Sequence, residues 1–149
     1  MAKIINAAGI SLVKQSEGFS PSCYLCPSSI WTLGYGSLHG LDGARLDGTH
    51  RDINEVEGEQ LLRKDLSVAE YYVAKLIKVP VTSNQFSSLV SICFNIGSRN
   101  FQNSTFRMKL NRGDYQGCAD NFWQWRRGAG RILPGLVKRR AKEKELFLS

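Results

Sequence analysis

The stretch EGFSPSCYLCPSSIWTLGYGS, running from Glu17 to Ser37, gathers the residue types that acid–base chemistry needs into one short span. Gly18 follows Glu17 directly and readily takes the left-handed conformation that ends a helix. The sequence therefore predicts a carboxylate at a helix C-terminus, facing a glycine-rich hairpin. The negative end of the helix macrodipole disfavours an ionised carboxylate, and partial burial in a cleft would act in the same direction. A glutamic acid that keeps its proton near neutral pH can hand it to a leaving oxygen, the general-acid step of glycoside cleavage. Composition alone also allows a solvated glutamate at a helix end.

Two other chemistries compete. Cys23 and Cys26 form a C-x-x-C pair of the kind used by zinc or redox sites. Cys93 and Cys118 stand far apart, and His39 and His50 are isolated, so no second ligand pair completes a metal set. No metal and no cofactor are expected. Cys93 lies among Val90, Ile92 and Phe94 and reads as a small buried thiol. The second competitor is charge. The formal net charge of +7 favours anionic partners: nucleic acid, anionic lipid, or the phosphate and carboxylate groups of cell envelopes. The basic run RRGAGRILPGLVKRRAKEK contains Glu143, Glu145 and apolar Ile132, Leu133, Leu136 and Val137, the mix of an amphipathic helix. No nucleic-acid motif accompanies it, so nucleic acid is not expected as a partner.

The elements that position these residues can be read from periodicity. Asn6 caps a first helix to about Ser16, with Ile10, Leu12 and Val13 on its apolar face. From Phe19 to about His50, glycines and prolines punctuate short runs such as IWTLGYGS, the pattern of a small β-hairpin lobe. A long helix starts at Asn54, with Glu57 completing a capping-box-like start, and Val56, Leu61, Leu62, Leu66, Ala69, Val73 and Leu76 recur at helical spacing. Ser83 is read as the cap of a helix carrying Phe86, Leu89, Val90, Cys93 and Phe94, stopped by Gly97. Shorter helices follow at about Thr105–Asn111 and Tyr115–Arg126, the second capped by Asp114, and a last one enters through Pro134. Trp123 is expected in the core.

The expected class is α+β, predominantly α: a helical bundle with a small N-terminal β-hairpin lobe at about 19–53 and a cleft where the two meet. Residues 1–149 are read as a single domain. No run approaches the length a membrane span requires, and no continuous apolar signal core opens the chain. A cytosolic origin is expected, with free thiols and not disulfides.

The same segment resembles the active-site region of the phage lysozymes of glycoside hydrolase family twenty-four. Glu17, Gly18, Tyr24, Cys26, Trp31, Thr32, Gly34, Tyr35 and Gly36 fall into the family register. NQFSSLVSICFNIGSRNF resembles the central-helix motif, and LNRGDY, FWQWRRGAGRILPGLVKRR and AKEKELF resemble the C-terminal lobe. The resemblance implies a lysozyme-like fold. It implies Glu17 as general acid, Thr32 as holder of the attacking water, and Cys26 at the intermediate position. Many members carry Asp there, while CPSS at Cys26–Ser29 is similar to a C-P-x-x variant. A thiolate can stabilise an oxocarbenium-like carbon or attack it, whereas a neutral thiol does less.

The resemblance further places Arg140 against the catalytic glutamate and Asn95 among the substrate-binding residues. Tyr35, Trp123 and Trp125 are aromatic candidates for sugar stacking, and Ser37 replaces the His that commonly follows G-Y-G. The function it implies is hydrolysis of the β-1,4 bond between N-acetylmuramic acid and N-acetylglucosamine in peptidoglycan, causing host lysis. The expected partner is the glycan strand. A monomer without stable membrane insertion would wait in the host cytoplasm and reach the periplasm and wall through a holin. A non-catalytic peptidoglycan-binding module is the alternative that Cys26 raises, and a chitinase is a closer one.

Overall fold

The computed structural model describes residues 3–149. Most of them are helical, in seven helices among the described residues, with two small two-stranded sheets. This is the predominantly helical α+β class expected. The chain divides into two compact units. One contains the residues up to Ser16 together with Val68–Ser149, and the other is Glu17–Ser67.

The smaller unit begins at Glu17, the last residue of α1 (Ala7–Glu17), and the chain turns at Gly18, whose φ of +71° lies where only glycine sits without strain. Strands β1 (Ser20–Leu25) and β2 (Trp31–Gly34) pair antiparallel, with Tyr24 opposite Thr32 and Leu25 opposite Trp31. A register irregularity lies between Ser20 and Tyr24. Beneath the hairpin, Leu33, Leu46, Ile53 and Leu61 form a core with Phe19, Cys23 and Trp31 packed against it. The long helix α2 (Glu55–Leu76) starts as the sequence predicts. Asn54 Oδ1 accepts the Glu57 N–H at 2.8 Å, and Glu57 Oε1 accepts the Asn54 N–H at 3.1 Å. Arg51 pairs with the same Glu57 carboxylate. Gly58 is required by close approach, since a Cβ there would stand 2.6 Å from the Phe19 ring and 3.3 Å from Tyr35.

In the larger unit, Asn6 Oδ1 accepts the Gly9 N–H and so caps α1 as expected. Helix α3 (Ser83–Ile96) is capped one residue earlier than read from sequence. Thr82, not Ser83, is the cap, because Gln85 lies three residues beyond it and the two side chains complete a reciprocal box. Helices α4 (Ser98–Gln102), α5 (Thr105–Asn111) and α6 (Tyr115–Asp120) follow. Ser104 caps α5 and Asp114 caps α6.

The helix expected over Tyr115–Arg126 stops at Asp120 and gives way to a 3-10 turn, Phe122–Trp125. Packing supplies the reason. Phe122 is fully buried, edge-on to Phe106 at 5.2 Å and to Phe147 at 5.7 Å, while Phe101 meets Phe106 at 5.5 Å. The change of helix type turns Trp123 outward, 52% exposed, and not into the core. The basic run is likewise not one amphipathic helix. Its first part is a hairpin, β3 (Arg127–Gly128) with β4 (Arg131–Ile132), and only Pro134 starts α7 (Pro134–Leu148). Gly128–Ala129–Gly130 makes this possible, with left-handed φ at Ala129 and Gly130. Helix α7 packs along α3. Among the described residues no helix is long and apolar enough to cross a membrane.

Candidate active site

Four of the seven candidate residues lie in the smaller unit. Glu17 is the last residue of α1. It is exposed, not part-buried as the sequence suggested, because the chain turns away at Gly18 and Gly36 offers no side chain to cover it. Glu17 Oε1 lies 3.9 Å from the point where a Cβ on Gly36 would stand. Its carboxyl group thus sits beside the G-Y-G turn that follows β2.

Cys26 occupies the tip of the hairpin. Its carbonyl accepts the Ser29 N–H at 2.8 Å and its own N–H donates to the Ile30 carbonyl at 3.0 Å. These bonds close a three-residue loop over Pro27, Ser28 and Ser29. Pro27 fixes the φ that the first turn position needs, and Ser29 takes the left-handed position at φ +59°. The loop points amides at the sulfur. Hydrogen bonds from the backbone of Ile30 and then Ser28 hold the Cys26 thiol below its ordinary range. Thr32 is buried on β2, and its hydroxyl donates to the Ile30 carbonyl at 3.0 Å. Cys26 and Thr32 therefore form one hydrogen-bonded group.

Tyr35 is 6% exposed and packs against Phe19 with ring centroids 5.1 Å apart, so its ring belongs to the core of the unit and not to a stacking face. Ser37 is buried and donates to Asp65 Oδ2 at 2.6 Å. Burial pushes the Asp65 carboxyl above its ordinary value, against the pull of Ser37. Asp65 was not singled out from sequence, since nothing in its spacing distinguishes it from a surface acid of α2. His50 Nε2 accepts the Leu41 N–H at 3.1 Å, which leaves Nδ1 to donate to the Arg51 carbonyl at 2.7 Å. The histidine ties a loop together. Among the described residues no three His, Cys, Asp or Glu gather to hold a metal ion, and the four cysteines are free.

The other three candidates meet in the larger unit around one guanidinium. Arg140 Nη2 donates to Asn95 Oδ1 at 2.8 Å, and Nη1 donates to the Trp125 carbonyl at 3.1 Å. Arg140 Nε also approaches Glu143 Oε1 at 2.6 Å, off the hydrogen-bond axis, so that contact is ionic in character. Glu143 is fully buried. Its Oε2 accepts from the Ser91 hydroxyl at 2.6 Å and from Arg139 Nε at 3.3 Å. Burial pushes the Glu143 carboxyl up, while Arg140 and Arg139 pull it down. From sequence Glu143 is read only as an acid interleaved in the basic run, although its position three and four residues beyond Arg140 and Arg139 on one helix is the signal for such a pair.

The geometry offers an exposed carboxyl beside a glycine turn and a polarised thiol–hydroxyl pair on a rigid hairpin, parts suited to acid-assisted bond cleavage. Comparison with known proteins points the same way. The sequence model of the family described as Phage lysozyme matches residues 14–143. The chain is 39% identical to the endolysin of Acyrthosiphon pisum secondary endosymbiont phage 1, covering 97% of this chain and 98% of the relative. It superposes on a mutant of P22 lysozyme with a TM-score of 0.90 at 34% identity, over 98% of this chain and 99% of that one. The muramidase domain of SpmX from Asticaccaulis excentricus gives a TM-score of 0.85 at 33% identity, over 99% of each chain. With matches spanning almost its whole length, this chain belongs to the phage lysozyme family.

Proposed function

We infer that the chain is a glycoside hydrolase that cuts peptidoglycan at the β-1,4 bond between N-acetylmuramic acid and N-acetylglucosamine. The observation that carries this reading is the placement of Glu17, Cys26 and Thr32 in one small unit, within a chain of this family. Glu17 protonates the glycosidic oxygen as the bond from the anomeric carbon to that oxygen breaks. Positive charge grows on the sugar ring, and the sulfur of Cys26, biased toward thiolate by the loop amides, opposes it electrostatically. Thr32 spends its proton on the Ile30 carbonyl, so its oxygen is left with lone pairs that can accept a hydrogen bond from the incoming water. Asn95, Trp125 and Arg140 are assigned to the substrate-binding side as one linked group. Arg140 organises the other two, and Trp125 is the half-buried aromatic surface available to a sugar. Residues 1–149 work together as one phage-lysozyme domain.

In the cell this reading makes the protein an endolysin, held in the host cytoplasm and released to the wall through holin-made lesions, acting as a monomer. Clearing of outer-membrane-permeabilised cells tests the chemistry. The wild type should lower turbidity and release reducing ends, and Glu17→Gln should not. Clearing undiminished in that variant overturns the assignment. Binding to purified sacculi by the wild type without release of reducing ends would make the protein a wall-binding module instead.

A further inference from the structure

Between Ala119 and Lys144, eight Lys and Arg residues stand against Asp120 and Glu143 alone, so six of the chain's seven excess positive charges fall in this one segment. The structure sorts these charges. Arg139 and Arg140 are buried on Glu143, Lys144 pairs with Asp120 at 2.9 Å, and Lys142 donates to Gln15. Arg126, Arg127, Arg131 and Lys138 make no ion pair among the described residues, and the last three are exposed. Apolar groups surface beside them: Trp123 is 52% exposed, Val137 44% and Ile132 43%.

Trp123, Arg126, Val137 and Lys144 share one patch. The Arg126 guanidinium lies 4.5 Å over the Trp123 ring, and both line a pocket of about 220 Å³ with Phe122, Val137 and Lys144. The Leu133 N–H donates to the Arg126 carbonyl and the Val137 N–H to the Leu133 carbonyl. Those bonds tie the β3–β4 hairpin and the start of α7 to the stacked pair.

We propose that this patch docks on the surface of an anionic phospholipid bilayer. Charge complementarity selects an anionic partner. The apolar groups select a lipid one. A purely ionic polymer would leave Trp123, Val137 and Ile132 wet, whereas a bilayer interface takes such side chains out of water while arginines stay at phosphate level. An indole stacked on a guanidinium at the rim of a shallow apolar pocket suits the headgroup layer. The contact is peripheral, since no element here is long and apolar enough to span.

The test uses the full-length protein with phosphatidylglycerol-containing vesicles against pure phosphatidylcholine vesicles. Binding and a blue shift of tryptophan emission are expected on the anionic vesicles only. Trp123→Phe should abolish the shift, and the combined change of Arg127, Arg131 and Lys138 to Gln should weaken partitioning by on the order of a hundredfold. Digestion of soluble muropeptides should be unchanged in the charge variant. Equal binding to phosphatidylcholine, or binding unaffected by the charge variant, overturns the proposal. So does displacement by duplex DNA that binds equally well after Trp123→Phe, which would mark a general polyanion surface. Absence of muropeptide cleavage by the wild type, with its vesicle binding intact, would count against the reading of Glu17 and not against this one.

Discussion

Glu17 and Glu143 are the same side chain in opposite circumstances. Glu17 stands exposed at the end of α1 beside a glycine turn. Glu143 is sealed between two guanidiniums and a serine hydroxyl with no exposure at all. A group that must give up a proton and regain it in each turnover needs access to substrate and water. A group whose charge holds helices together needs opposite charge and donors packed around it, as Arg139, Arg140 and Ser91 supply to Glu143. Surroundings, and not residue type, separate a working acid from a structural one. Cys26 and the thiols of Cys93 and Cys118 repeat the lesson: loop amides pull the first pKa down, and burial pushes the other two up to about 12.

The contrast can be broken most sharply at Glu17. Glu17→Gln should cut the initial rate of wall clearing by about 10²–10⁴-fold, the range of a positioned general acid. The unfolding free energy should move by no more than about 1 kcal/mol, the scale of an interaction made by an exposed carboxylate. A denaturant titration alongside the turbidity assay reads both. Glu143→Ala should do the reverse. Stranding two buried arginines should cost about 3–5 kcal/mol of stability, seen as a lower denaturation midpoint. A small loss there would mean that water reaches the cluster.

The cysteines extend the comparison to pH. A thiol held below its ordinary value keeps its thiolate to lower pH than an ordinary one, so Cys26 should be alkylated by iodoacetamide ahead of the buried cysteines at any pH. Cys93 and Cys118 should stay unmodified even at mildly alkaline pH. Peptide mapping by mass spectrometry checks this, and labelling of Cys93 or Cys118 before Cys26 would contradict it. The smallest effect concerns the loop that holds Cys26. Ser29→Gly relieves a left-handed serine at φ +59° and should stabilise the protein by about 0.5 kcal/mol, less if glycine loosens the unfolded chain. A destabilised variant would show that the Ser29 side chain matters more than its backbone strain.

Features with local signals were legible in the sequence. The Asn54/Glu57 box, the Asp114 cap, Pro134 at the start of α7 and the stop at Gly18 depend on neighbours a few residues away, and each stands where expected. Features set by distant partners were not. The Thr82 cap is the exception, missed although its signal, the Gln three residues on, is local. The break at Asp120 follows from the Phe122 ring finding Phe106 and Phe147, which are remote in sequence. The site divides in the same way. The order Glu17–Cys26–Thr32 was readable, while the amides around Cys26 and the burial of Tyr35 needed coordinates. Asn95, Trp125 and Arg140 were found one by one, and their convergence on a single guanidinium appeared only in three dimensions.

The edge-to-face series Phe101–Phe106–Phe122–Phe147 bears on how the larger unit is made. Helices α4, α5 and α6 have five, seven and six residues, too short to persist in water on their own. Phe101 of α4 and Phe106 of α5 reach α7 through Phe122, which closes the series on Phe147 near the end of that helix. During synthesis this stretch should therefore stay fluid until the ribosome has released α7, and then set in a single cooperative step.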